Sequence, residues 1–430
     1  MRYVALLALP LASMTGAAPP ALDGIQYTVK PGDTLSGIAE RYLVNTQQYK
    51  PLQTAIKLAI PKHLQPGTVL TLPRALLKTV PVDAHLAAYN GAVAIDNAAP
   101  KAGMAVHEGA RITTATNAFA TLILSNGSKV TLPSQTSVRL THLRKIILDN
   151  SLDYQIDLEN GRVETKATHF EDPNSRFQFK TPLATSAVRG TEFRVAYSSS
   201  GDSDSLTEVL DGAIHVSSPR SSYAAVIPKK TGAGLSPTGT AHIEELLPAP
   251  RVTNADGVQK DDLVHFVLAP VSGAQAYHIQ LARDAGFVDV FSDVKSTAPS
   301  ADFADVPNGH QFVRATAISK TGFEGLSETV SFTRKLNSIH ALVEHGGHGG
   351  FMFKWIGNGE GVTRYRFQIT REIGSTPLVD EPGLTTHDIE LTNLAAGVYY
   401  WRVAATQFDD GDTSTSWTDF NKLTVAAAGR

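Results

Sequence analysis

Histidines are the residues most able to do chemistry here. His340, His345 and His348 stand among Gly346, Gly347, Gly349 and Gly350. Three imidazoles this close could hold zinc or nickel. The glycines leave such ligands unorganised, so the stretch reads as a flexible, His-rich loop between domains, and no metal site is assigned. Thiolate chemistry is excluded outright. The 430 residues include no cysteine, hence no disulfide, no thiolate metal site and no cysteine nucleophile. Neither His-x-His nor His-Glu-x-x-His occurs, which removes the common zinc-peptidase signatures. The Gly-x-Ser-x-Gly elbow is missing too. A carboxylate pair for glycoside hydrolysis needs no motif. Its helical or barrel scaffold, however, finds no room in a chain that reads as small β domains after Pro73. Nothing calls for a catalytic residue or a cofactor, so the expectation is a binding protein rather than an enzyme. Asn126-Gly127-Ser128 matches a glycosylation sequon, which a tight turn explains equally well. Tyr365 and Trp401 fall at period two and read as core rather than as a ligand platform.

The elements that would carry any site are bounded first by composition. Hydrophobic residues at 42% and charged residues at 18% describe ordinary globular domains. The net charge of −3 shows no basic excess of the kind nucleic acid attracts. Arg2, the apolar run from Val4 to Ala12 and the small residues Thr15-Gly16-Ala17 read as a cleavable secretory signal over residues 1–17. That run falls far short of the roughly 20 residues of a membrane span. An exported chain is therefore expected, with no membrane span once mature and no cysteine to carry a lipid.

Residues 26–73 form the first unit. Gln26 to Val29 alternates as a strand, and Pro31-Gly32-Asp33-Thr34 makes a turn with Asp33 or Thr34 as helix N-cap. Leu35, Ile38, Ala39 and Tyr42 mark one face of a helix. A second helix fits Pro51 to Ala59, and Val69 to Leu72 is a second strand, giving βααβ. The run Tyr27-Thr28-Val29-Lys30-Pro31-Gly32-Asp33-Thr34-Leu35 resembles the opening of a LysM domain, and Leu64-Gln65-Pro66-Gly67-Thr68-Val69-Leu70 resembles its close. The resemblance implies binding of a polymer containing N-acetylglucosamine, mainly peptidoglycan or chitin. By position, the family's sugar groove falls on Gly32, Asp33, Thr34 and Leu35 on one side and on Ile60, Pro61 and Lys62 on the other. Amides at Gly32 and at the helix start would meet acetamide carbonyls there, and Leu35 would pack on the acetyl methyl. The asparagine often seen near the end of the family's second helix is replaced by Lys57-Leu58-Ala59.

Residues from Arg74 to about Asp83 read as a linker. Residues 84–245 read as an all-β domain, because Asn126-Gly127, Asn160-Gly161 and Asp211-Gly212 each sit between alternating segments, the pattern of tight hairpins. This stretch resembles the FecR family. The resemblance rests on Thr121-Leu122-Ile123-Leu124-Ser125-Asn126-Gly127, on Glu159-Asn160-Gly161-Arg162-Val163 and on Ala187-Val188-Arg189-Gly190-Thr191-Glu192-Phe193. Gly190 reads as a bulge or a close backbone approach. The family's namesakes are envelope sensors.

An internal repeat organises the rest. Tyr277, Gln280, Arg283, Gly309, Arg314, Ala317 and Phe332 recur as Tyr365, Gln368, Arg371, Gly397, Arg402, Ala405 and Phe420, at one constant offset of 88 residues. Two tandem β-sandwiches over residues 248–334 and 338–427 follow. Gly397 to Val403 resembles the late strand of fibronectin type III domains, with Tyr399 as a tyrosine corner in the second copy and Gln311 at that place in the first. The fold class expected is mainly β: a small βααβ LysM unit, an all-β FecR-like domain and two sandwiches. The function expected is non-enzymatic peptidoglycan binding in the periplasm, with the β domains offered to a protein partner. A FecR-type periplasmic sensor and a stalk or scaffold of an envelope assembly are the alternatives.

Overall fold

The computed structural model of the chain describes residues 23–45, 64–199, 204–409 and 412–426. The secretory segment, the second LysM helix and Ile60, Pro61 and Lys62 lie outside the described residues. The chain divides into two units. One holds residues up to 82 together with 142–154 and 170–177; the other holds 83–141, 155–169 and 178 onward.

In the first unit, β1 (Gly24–Thr28) pairs antiparallel with β2 (Val69–Pro73), Tyr27 opposite Leu70. Alternation puts Ile25, Tyr27, Leu70 and Leu72 on the buried face, and α1 (Leu35–Tyr42) covers them with Leu35, Ile38 and Ala39. Thr34 starts the helix: its backbone is extended and its Oγ1 accepts the Gly37 N–H at 3.1 Å. The helix stops at Leu43, whose extended backbone carries the side chain into the same core. The stretch after Pro73 is structured, not a linker. Arg74–Leu76 makes a 3-10 turn, and β3 (Thr79–Pro81) pairs with Arg144–Ile146. Leu77 and Ile146 join the LysM core. The burial of Leu77 outweighs the short, Pro-punctuated composition that made the stretch look like a spacer.

Beyond β3 the chain runs through β4 (Ala84–Asn90), β5 (Val93–Ile95), β6 (Ala105–Val106), β7 (Arg111–Thr114), β8 (Phe119–Ile123), β9 (Lys129–Leu132), β10 (Ser137–Ile146), β11 (Leu152–Lys166), β12 (Arg176–Lys180), β13 (Thr185–Val188), β14 (Glu192–Tyr197), β15 (Ser205–Asp211), β16 (Ala213–Ser217), β17 (Ala224–Pro228), β18 (Thr231–Leu235) and β19 (Ala241–Glu245). In the second unit one antiparallel sheet runs β6-β4-β8-β9-β11-β14-β15-β18-β19, which β11 joins through Gly161–Lys166. The ladders β5–β7–β10 and β13–β16–β17 lie outside it. Ser186 of β13 and Thr207 of β15 share a buried hydroxyl contact at 2.9 Å, so these layers face each other.

Only one of the three expected hairpins forms. At Asn126-Gly127, β8 folds back on β9 with Gly127 at φ +83°. By contrast, β11 runs straight through Asn160-Gly161: Asp157 and Glu159 bond to Thr141 and Ser137 of β10, and the residues from Gly161 pair with β9 and β14. At Asp211-Gly212, β15 pairs with β14 and β18 while β16 pairs with β13 and β17. These two glycines are corners where the chain leaves one sheet for another. Gly161 has φ +95°, and a Cβ on it would stand 2.6 Å from the Gln135 carbonyl oxygen. Gly190, between β13 and β14, shows the close approach expected of it, a Cβ there meeting His169 Cα at 2.8 Å.

The tandem sandwiches follow. The first comprises β20 (Val258–Gln259), β21 (Val264–Val267), β22 (Ala274–Ala282), β23 (Val290–Ser296), β24 (Ser300–Phe303), β25 (Gly309–Ser319) and β26 (Glu324–Arg334). The second comprises β27 (Asn337–His345), β28 (Phe351–Gly359), β29 (Val362–Thr370), β30 (Val379–Leu384), β31 (Asp388–Leu391), β32 (Gly397–Asp409), β33 (Asp412–Trp417) and β34 (Asn421–Val425). The sheets are β20-β26-β25-β22-β23 over β21-β24, and β30-β29-β32-β33 with β34 on β32 over β27-β28-β31. Strands β22, β24 and β25 begin 88 residues before β29, β31 and β32. Repeated residues do the same work. Arg314 Nε donates to Gln280 Oε1 at 3.0 Å, and Arg402 Nε donates to Gln368 Oε1 at 3.0 Å. The Tyr399 hydroxyl donates to the Ala395 carbonyl at 2.7 Å, the tyrosine corner; Gln311 Nε2 reaches the equivalent Pro307 carbonyl at 3.4 Å.

A buried ion network joins the FecR-like strands to the first sandwich. Arg162 Nη1 donates to Glu208 Oε2 at 2.9 Å, and Arg194 Nη1 donates to Glu324 Oε2 at 3.0 Å. His278 lies between Glu324 Oε1 at 3.2 Å and Asp293 Oδ2 at 2.9 Å. Arg194 Nη2 also donates to the Gly325 carbonyl at 2.6 Å. Burial by itself would raise the Glu324 pKa, but the charges of Arg162, His278 and Arg194 outweigh it and hold the carboxyl well below its ordinary value. Burial would likewise lower the His278 pKa; Glu324 and Asp293 outweigh it and raise it.

Two predictions follow from this architecture. Gly161→Ala adds a strained φ and a backbone clash, and urea unfolding should show a loss of about 2–4 kcal/mol. Glu324→Ala strands Arg194 and His278 in the interior and should destabilise the second unit by about 3–5 kcal/mol. In the parent chain the Glu324 contribution should be complete above pH 4.5, its ordinary pKa, and decline as pH falls further; denaturant melts across pH check both the size and the sign.

Candidate glycan-binding site

The described side of the LysM groove is the loop entering α1. Pro31, Gly32 and Thr34 are exposed. Gly32 sits at φ +86° with open space where a Cβ would stand. The loop is held from beneath by Asp33, whose side chain is only 5% exposed. Asp33 Oδ2 accepts the Tyr27 hydroxyl at 2.6 Å and the Lys30 N–H at 2.9 Å, and Arg41 pairs with Oδ1. The Tyr27 hydroxyl, the Lys30 amide and Arg41 together hold the Asp33 carboxyl at about 2. Burial and the facing carboxylate push the Tyr27 phenol up to about 12.

This geometry separates the four described residues by role. Asp33 spends its oxygens on the loop itself. Leu35 turns its side chain into the core at 1% exposure, so the acetyl-packing role its type implied does not match its placement. Thr34 Oγ1 is engaged by the Gly37 amide at 3.1 Å and lies 3.2 Å from Ser36 Oγ. What is exposed is Pro31, Gly32, Thr34 and Ser36, and the Ser36 amide has no partner within the helix by position. Sequence reasoning missed Tyr27 and Arg41, which fix Asp33. Tyr27 lies on β1, Asp33 in the turn and Arg41 on α1, so no one element's periodicity links them.

The comparisons with known proteins bear on this geometry. Residues 27–73 match the model of the LysM domain, and residues 110–215 match that of the FecR protein. The chain carries a LysM domain and a FecR segment. No curated protein matches. Among solved structures, a candidate anti-sigma factor from Parabacteroides distasonis ATCC 8503 is similar at 18% identity over 31% of this chain, with a TM-score of 0.27; the match spans 59% of that protein's length. A two-domain fibronectin type III segment of chicken tenascin is similar at 11% identity over 41% of this chain and 99% of the segment, with a TM-score of 0.20.

The other residues singled out by type fall elsewhere. His340 lies within β27, opposite Ile356, and its Nε2 meets Asp262 Oδ2 at 2.6 Å. His345 ends the same strand, its ring 5.3 Å from that of Phe351. The glycine-rich stretch is thus the tip of the β27–β28 hairpin, not a loop between domains, because β-pairing runs right up to it. Among the described residues, no group of three or more histidines and carboxylates could hold a metal ion. Tyr365 and Trp401 are core, at 4% and 1% exposure.

Tyr27→Phe removes the first of the contacts that hold Asp33 ionised. In a side-chain NMR titration of the full chain, the Asp33 midpoint should move from about 2 toward the ordinary 3.8. Because the folded value is depressed, the stability these contacts supply is complete above pH 3.8 and lost as pH falls through about 2. An unmoved Asp33 midpoint would show that Tyr27 is not what anchors the loop.

Proposed function

We propose that this chain is a non-enzymatic protein of the cell envelope, exported through residues 1–17 to the periplasm, that holds peptidoglycan or another N-acetylglucosamine polymer through residues 26–73. The observation that carries this reading is the LysM match over 27–73, with Gly32, Thr34 and Ser36 exposed on the loop that enters α1. Backbone amides at Gly32 and Ser36 would donate to acetamide carbonyls, Asp33 would fix their spacing, and Ile60, Pro61 and Lys62 would supply the opposite wall. The β domain of 84–245 and the sandwiches of 248–334 and 338–427 would present surfaces to a protein partner. The FecR match over 110–215 favours a second reading, an envelope sensor whose deletion changes transcription; unchanged transcription in a deletion strain removes it.

The primary reading is tested by spinning the mature chain down with insoluble peptidoglycan. The full chain should enter the pellet. Thr34→Asp keeps a competent N-cap but sets a charge in the groove, and should leave most of the protein in the supernatant. If the unaltered chain also stays in the supernatant, the glycan-binding reading is wrong.

A further inference from the structure

Where the FecR-like sheet meets the first sandwich, the second unit has a cleft of about 460 Å³, a size typical of small-molecule sites. A smaller, more enclosed cavity of about 30 Å³ shares Lys129, Lys166, Glu192, Arg314 and Ser327 with it. That smaller space fits about one water-sized group. The register sets Lys166 of β11 directly opposite Lys129 of β9 and, on its other side, opposite Glu192 of β14. Like charges directly opposite on one sheet face repel and destabilise the pairing. Lys166 reaches Glu192 only at 3.9 Å, with both side chains largely in solvent. Arg314 closes the cleft from β25, already tied to Glu164 at 2.6 Å and stacked on Phe287 at 4.3 Å. Burial, then the charge of Arg314, lower the Lys129 pKa. Gln280, only 3% exposed, lines the enclosed cavity with its Nε2 unpartnered, as is the hydroxyl of Thr165 beside it. Buried donors left unpartnered are costly. Two ammonium groups on one sheet face, of which Lys129 already donates to the Gly286 carbonyl, and a spare buried amide therefore line one cleft, and each has a donor left for the same kind of guest.

We propose that this cleft binds a small polar solute through an oxyanion, carboxylate or phosphate, seated between Lys129 and Lys166. Ser327 and Thr329 at the wider end would meet its hydroxyl groups.

The full chain would be titrated separately with gluconate, inorganic phosphate, neutral sorbitol and chloride at matched ionic strength, followed by thermal melting and amide NMR. At least one oxyanion should raise the melting temperature saturably, with shifts at Lys129, Lys166 and Gln280, and the responding arm names the group. Sorbitol and chloride should do neither. Lys166→Met should weaken that binding roughly tenfold or more, the loss of one charged hydrogen bond. Without ligand it should melt no lower than the parent, because it relieves the opposition to Lys129. Silence from both oxyanions, or an equal response to chloride, overturns the proposal. So does a Lys166→Met variant that melts lower while its anion response stays intact, since Lys166 would then serve only its pair with Glu192.

Discussion

Much of the second unit hangs on the buried carboxylate of Glu324. It sits at the first residue of β26, yet its partners come from β11, β14 and β22. Its own backbone amide donates to Glu208 at 2.8 Å, so main chain and side chain are both tied into the FecR-like strands. Removing such a group from water is expensive unless partners of opposite charge surround it, and here Arg162, Arg194 and His278 stand around it. Apolar packing would hold the two surfaces together across a range of small slides. A set of charge-assisted bonds near 3 Å permits one arrangement. The cleft around Lys129 and Arg314 lies along this same seam and inherits its rigidity.

The LysM loop follows the same rule on a smaller scale. A carboxylate largely withdrawn from solvent, Asp33, is held by a phenol, an amide and a guanidinium. Because the carboxylate fixes the loop from behind, Gly32 and the start of α1 keep a fixed place on the exposed side. That matters for a glycan, whose acetamide groups pair best with amide donors held at fixed spacing.

Legibility in the sequence followed the range of the interaction. Period-two and period-3.6 patterns gave the LysM strands and α1, and the 88-residue offset gave both sandwiches, because periodic burial is written locally. Asn160-Gly161 and Asp211-Gly212 show the limit. Both dipeptides reported truly that the backbone needs positive φ, and neither could report whether the next strand pairs with the last or crosses to another layer. That choice is made by residues far away, such as Gln135 packed against Gly161. The ion network was illegible for the same reason: Arg162, Glu208, His278 and Glu324 each look like an ordinary polar position of an alternating strand. At the candidate site the motif located the loop of Gly32 through Thr34 ahead of α1, and the helix periodicity that puts Leu35 on one face with Ile38 and Ala39 already pointed its side chain at the core.

The internal repeat shows how one inherited contact acquires two uses. Arg314 and Arg402 are the same position of the two sandwiches, and each donates to its glutamine. In the second copy Arg402 spends its remaining face at home, lying 4.1 Å over Trp417 and 4.5 Å over Phe420. In the first copy the guanidinium likewise lies 4.3 Å over an aromatic of its own sandwich, Phe287, but it also reaches Glu164 of the FecR-like sheet. The difference lies in the neighbour and not in the arginine: the first sandwich has a carboxylate-bearing sheet against that face, and the second has its own aromatic strand. The same pre-oriented cation thus becomes part of an interface in the copy where the FecR-like sheet supplies a carboxylate. The Lys129 cleft lies at that copy and draws its lining from both the FecR-like sheet and the first sandwich, so neither surface forms it alone.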